Sequence, residues 1–154
     1  MLPIVIAAGL RVMLCILFFP FSALDKILNF GGAVQQAQEL FSDRTAAAAM
    51  ILVGLAVEIV APLCIISGFA DRAAAFLLGG YCVVTALLFK RFWAPGDFWH
   101  KGSSKGRELF WDFLKNFSLA AGIMLVTFGT VAPSTARFFD APFSSTHPYQ
   151  EASP

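Results

Sequence analysis

Two ionisable side chains stand where a bilayer would surround them. Arg11 lies in the apolar run from Ile4 to Leu24, and Glu58 in the run from Ala46 to Ile66. Charge at that depth is expensive, so an ionisable residue there is a functional candidate by default. Arg11 comes seven residues after Ile4, about 11 Å along a helix at 1.5 Å per residue. Glu58 comes eight residues before Ile66, about 12 Å from the corresponding end. Antiparallel neighbours bring the two to one depth, and a bidentate arginine–carboxylate pair is expected. Two readings of that pair stay open. It fixes helix register with little net stabilisation, or it lines a polar pocket that holds a headgroup, a quinone oxygen or a proton. Pro62, four residues after Glu58, removes the donor for the Glu58 carbonyl. Pro20 does the same to Ile16 in the first span, so a kink is expected in each of the two helices.

A second polar group gathers at the other end of the first span. Asp25 and Lys26 close that span, and Lys115 and Asn116 enter the fourth on the same side. These four form a candidate cluster; snorkelling of Lys115, or its pairing with Asp112 one turn earlier, is the plainer account. Metal chemistry finds no support. His100 falls in a loop and His147 in the tail, so no pair of helical histidines is placed to ligate haem. Cys15, Cys64 and Cys82 lie in apolar runs without zinc or CxxC spacing and read as small hydrophobes. No cofactor held covalently or by metal ligands is expected.

The elements that position these residues follow from composition. Of 154 residues, 58% are hydrophobic and 14% charged, with a mean hydropathy of +0.72. A water-soluble domain carries about 25% charged residues, and one core of this size could not hide so much apolar surface. A net charge of +1 leaves no basic field for nucleic acid. The chain reads as an integral membrane protein. Its spans are Ile4 to Leu24, Ala46 to Ile66, Ala73 to Phe89 and about Phe113 to Ala132, each near the length a bilayer needs. The expected fold is all-α: an antiparallel four-helix bundle over residues 1–132, then a Pro- and Ser-rich flexible tail over 133–154.

The loops carry information of their own. The first and third hold Lys26, Arg44, Lys90, Arg91, Lys101, Lys105 and Arg107, against Arg72 and Arg137 on the other side. That bias puts these loops in the cytoplasm and both termini outside. The stretch from Ala33 to Arg44 places Val34, Ala37, Leu40 and Phe41 on one helical face and reads as an interfacial amphipathic helix. The third loop is dense in aromatics, as an interfacial belt would be. Its KGSSKGR run, lacking the Walker spacing, reads as a flexible turn.

At the first span, GLRVMLCILFFPFSALDKI, the second, GLAVEIVAPLCIISGF, the Phe98–Trp99 pair and the fourth-helix opening FLKNFSLAAGIML, the sequence resembles the DoxX family of small bacterial membrane proteins. The resemblance covers about residues 4–131. It carries over Arg11, Lys26, Glu58, Trp99, Lys115 and Asn116; Asp25 departs from the family pattern, and the tail lies outside it. The resemblance implies an inner-membrane subunit near quinone chemistry, on the analogy of the small subunit of a thiosulfate:quinone oxidoreductase, or a component of a redox-stress complex. The expected partners are the bilayer, an oxidoreductase that supplies the electrons, and other membrane subunits or further copies of the chain. Quinone is the small-molecule cofactor that the resemblance implies. The alternative is a membrane scaffold or small-molecule permeability protein with no redox role. Nothing in the chain alone supports catalysis in isolation, since a redox reaction needs a carrier.

Overall fold

The computed structural model describes residues 1–150, with no strand among them. Helix α1 (Leu2–Cys15) passes through a wound turn at Leu17–Ser22 into α2 (Ala23–Leu28). A short α3 (Phe30–Ala37) follows, then α4 (Arg44–Ser67), α5 (Asp71–Phe89) and α6 (Lys105–Phe128). A last helix, α7, covers Ala132–Asp140. Four stretches are long and apolar enough to span a membrane: Leu2–Leu28, α4, α5 and α6. The expected all-α membrane bundle is the observed fold.

The bundle is arranged around α5, which packs on α4 on one side and α6 on the other. Small residues make that central place possible. Ala75, Gly79 and Ala86 are buried along α5, and Cys15, Ile65, Leu78, Cys82 and Ile123 fill the core around them. A Cβ built on Gly79 would stand 2.8 Å from Met124 Cγ and 3.3 Å from the Ala120 carbonyl oxygen. Without a hydrophobic drive between helices in lipid, such close approach is what holds spans together. Gly79→Val is therefore expected to cost about 1–3 kcal/mol through overpacking, read as a lower melting temperature in detergent; an unchanged melt would show that α6 can retreat freely.

Several boundaries differ from those read in the sequence, each for a local reason. The first span runs four residues past Leu24, to Leu28. Its axis breaks at Phe19, whose φ of −121° and ψ of 119° are extended, just ahead of Pro20 as expected. At Pro62, by contrast, α4 continues unbroken. The fourth span opens at Lys105, eight residues before Phe113, because Ser104 accepts from the Arg107 amide (3.2 Å) and caps it. The amphipathic helix of the first loop is shorter and earlier than expected, and it faces protein. Val34 and Ala37 bury against Ala47 and Ile51 of α4, whereas Phe41 stays exposed beyond the helix end.

Two segments expected to be flexible are built structure instead. In the third loop, Asp97 accepts from the amides of Lys105 and Gly106, both at 2.8 Å. Arg107 donates to the carbonyls of Phe98 (3.0 Å) and His100 (2.6 Å), and also reaches that of Gly102. The hydrogen bond from Gly106, foremost, holds the Asp97 carboxyl below the usual carboxylate range, with Lys105 assisting. The tail departs further from expectation. Residues 132–140 form α7, whose Phe138 packs on Phe76 and Phe128, and Thr146 and Tyr149 dock on the bundle. Only its last four residues lie outside those described. Backbone and hydroxyl donors of the tail meet buried acceptors of the bundle, which composition alone does not reveal.

Candidate functional site

The two intramembrane charges do not meet. Each has a different partner, and the two clusters lie along different parts of the bundle. Arg11 Nη1 is 2.8 Å from Asp71 Oδ2 and donates to the Ile65 carbonyl at 2.5 Å. Depth matching placed Arg11 level with Glu58. It stands instead against Ile65, seven residues on, which is about 11 Å along α4. Depth matching took Ile4 and Ile66 to mark one membrane plane. The first span is longer than its neighbours and is shifted along them, so that premise fails.

Asp71 is the residue the sequence reading missed here. It precedes the apolar run that begins at Ala73, yet it sits in the first turn of α5, fully buried. Thr146 completes the cluster. Its amide donates to Asp71 Oδ1 at 2.9 Å, and its hydroxyl donates to Oδ2 at 2.5 Å while accepting from Arg11 Nη2 at 2.6 Å. The cluster also finishes α4. Gly68 (φ 79°) ends that helix in the left-handed conformation, and its amide takes the Cys64 carbonyl at 3.0 Å. Arg11 takes the Ile65 carbonyl and the Tyr149 hydroxyl that of Ile66. These carbonyls would otherwise lack helical donors, so this group reads as an anchor of the fold.

Glu58 has a different setting, with a cavity beside it. Only 2% exposed, it accepts from Lys26 Nζ at 2.8 and 2.9 Å, from the Tyr81 hydroxyl at 2.9 Å and from Ser22 Oγ at 3.1 Å. Local sequence arranges each donor. Ser22 and Lys26 are one turn apart, and Lys26 Nζ also donates to Ser22 Oγ at 2.8 Å. Gly54, one turn before Glu58 on the same face of α4, makes room for the tyrosine ring. A Cβ there would lie 3.1 Å from the Tyr81 hydroxyl oxygen. Four donor hydrogen bonds on one carboxylate satisfy a charge that lipid could not.

This carboxylate opens on a cavity of about 620 Å³ reached from α2, α3, α4, α5 and α6. Asp25, Asn29, Gln36, Thr85, Lys90 and Asn116 give it a polar side, and Leu17, Phe18, Val84 and Leu88 an apolar one. So Glu58, Lys26, Asp25 and Asn116 of the sequence candidates line one space. Arg11 lines another. Lys115 is largely exposed and pairs with Asp112 at 3.4 Å, the plainer account given above. Trp99, 90% exposed, makes an edge-to-face contact with Phe98 at 4.9 Å and stands outside both spaces. Tyr81 was missed. Its signal was available: a phenol in mid-span needs a partner, and a buried glutamate one helix away needs a donor.

The DoxX family model matches residues 6–91, from the first span through Arg91. That region contains Arg11, Lys26, Glu58, Asp71 and Tyr81. No curated protein and no solved structure gives a match.

Proposed function

This chain belongs to the DoxX family, and we propose that it serves as a quinone-contacting subunit of a redox system in the bacterial inner membrane. The observation that carries the reading is a buried carboxylate ringed by donors at the wall of a cavity lined by both polar and apolar side chains. A volume of this size is usual for a small-molecule site. The donor set suits a quinone head, because Lys26 and Tyr81 carry N–H and O–H groups of the kind that quinone carbonyl oxygens would accept. Leu17, Phe18 and Leu88 offer a surface for the ring. A bound quinone supplies the electron chemistry that the side chains lack, and a partner oxidoreductase supplies the electrons.

The chain's own part is to bind, orient and handle protons. With Glu58 ionised, Lys26, Tyr81 and Ser22 point their hydrogens at the carboxylate. A proton on a Glu58 oxygen weakens the demand for those donors and frees them for the ligand's oxygens. Glu58 is thus the proton-holding group of the site, while Lys26 and Tyr81 select for an acceptor. Asn116 and Asn29 complete the polar wall.

Extraction of the chain from membranes in mild detergent is expected to bring quinone with it, and a short-chain quinone should raise its melting temperature. Lys26→Met should lose that response. Absence of both quinone and response in the unaltered protein would transfer the site to a scaffold or permeability role.

The same reading places the first and third loops in the cytoplasm on their excess of Lys and Arg. A reporter fused after Pro154 is then expected to read out on the periplasmic side, and a cytoplasmic signal would invert the orientation.

A further inference from the structure

A second space lies away from Glu58. Helices α1 and α6 meet only sparsely, and the seam between them opens into a groove of about 740 Å³. Leu10 and Leu14 of α1 face Gly122 and Leu125 of α6 across it. Leu10 and Leu125 are exposed on the outside of the bundle, so the groove opens where acyl chains would lie. Arg11 and Arg72 also line it.

Among the described residues the charge there is not balanced. Asp71 answers Arg11, but Arg72 has no carboxylate in ion-pair contact among the described residues. Arg72 is 5% exposed. Its Nη1 donates to the carbonyls of Thr127 (2.7 Å) and Ser134 (3.4 Å), and its buried Nε has no hydrogen-bond partner. Two guanidinium groups and one carboxylate leave a net positive charge beside an apolar slot. A buried cation without a counter-ion is costly, and a phosphate offers a guanidinium the acceptors it fits best.

We propose that this groove binds an anionic membrane lipid, its phosphate held by Arg72 beside the Arg11–Asp71 pair and one acyl chain laid along the α1–α6 seam. The site is separate from the Glu58 cavity and does not depend on what that cavity binds. Zwitterionic lipids share the acyl chain and the phosphate but carry their own cation, which would stand against Arg11 and Arg72. The net charge of the headgroup therefore sets the preference.

The full chain, purified in mild detergent, is offered dioleoylphosphatidylglycerol or dioleoylphosphatidylcholine and followed by native mass spectrometry and thermal unfolding. One phosphatidylglycerol is expected to stay bound, with a preference of about tenfold or more over phosphatidylcholine, as charge-assisted contacts provide. Arg72→Gln should abolish the preference and Arg72→Lys should keep part of it. Should the glutamine variant fail to fold, Gly122→Leu tests the seam. A Cβ at Gly122 meets Leu14 Cδ2 at 3.6 Å, an ordinary contact, so the first added carbon is accommodated and the larger side chain takes up space in the groove that Gly122 lines. This variant should lose the lipid yet melt normally in lipid-free detergent. Equal retention of both lipids, or undiminished retention by Gly122→Leu, would overturn the proposal. So would equal protection by inorganic phosphate alone, which would assign the site to a soluble anion.

Discussion

Removing Arg11 or Asp71 singly is expected to cost about 3–5 kcal/mol, because each change strands a charge in a dry environment. Arg11→Ala leaves Asp71 with only the Thr146 donors and leaves the Ile65 carbonyl without its side-chain cap. Asp71→Ala leaves a guanidinium with a carbonyl and a hydroxyl but no anion. The double variant should cost little more than either single one, since the pair is lost only once. Arg11→Ala combined with Glu58→Ala should instead be additive to within about 0.5 kcal/mol, as the two residues share no partner. Thermal unfolding of the six proteins in one detergent measures both cycles. Strong coupling between Arg11 and Glu58, with none between Arg11 and Asp71, would reverse the pairing.

The Glu58 cluster should respond through its cation. Lys26→Met leaves a 2%-exposed carboxylate with two hydroxyl donors, and a loss of about 3 kcal/mol is expected, at the low end for breaking a buried pair because Ser22 and Tyr81 still donate. Lys26→Met with Glu58→Leu should recover most of that loss, since apolar replacement of both members removes the desolvation penalty along with the attraction. Recovery of stability without recovery of the quinone response would separate the two roles of Glu58. If the double variant were as unstable as the single one, Lys26 would be holding the kinked first span by its packing, and Glu58 would carry little of the stability.

The clusters divide the labour in a way that fits their surroundings. The Arg11 group closes the end of α4 and ties residues 146–149 to the bundle. The Glu58 group faces a cavity with polar and apolar walls. Gly54 beside Tyr81 and the break at Phe19 are what allow its donors to converge.

Membrane residence, four helices and the presence of buried charge were all legible in the sequence, because lipid imposes its demand on each segment separately. A span must be apolar for about 20 residues and helical to satisfy its own backbone, and neither condition depends on a neighbour. Arg11 and Glu58 stood out for the same reason. Pairing was another matter. It depends on how far one helix slides along another, and a slide of a few residues leaves every segment equally apolar. The shift of the first span put Arg11 against Asp71 and Lys26 against Glu58, and the packing of α5 on α4 brought Tyr81 to the same carboxylate. The docking of Thr146 and Tyr149 likewise rests on acceptors contributed by distant parts of the chain. Composition marked that a charge must be answered; only the tertiary structure decided by which residue, because that choice is made by packing between helices and not within them.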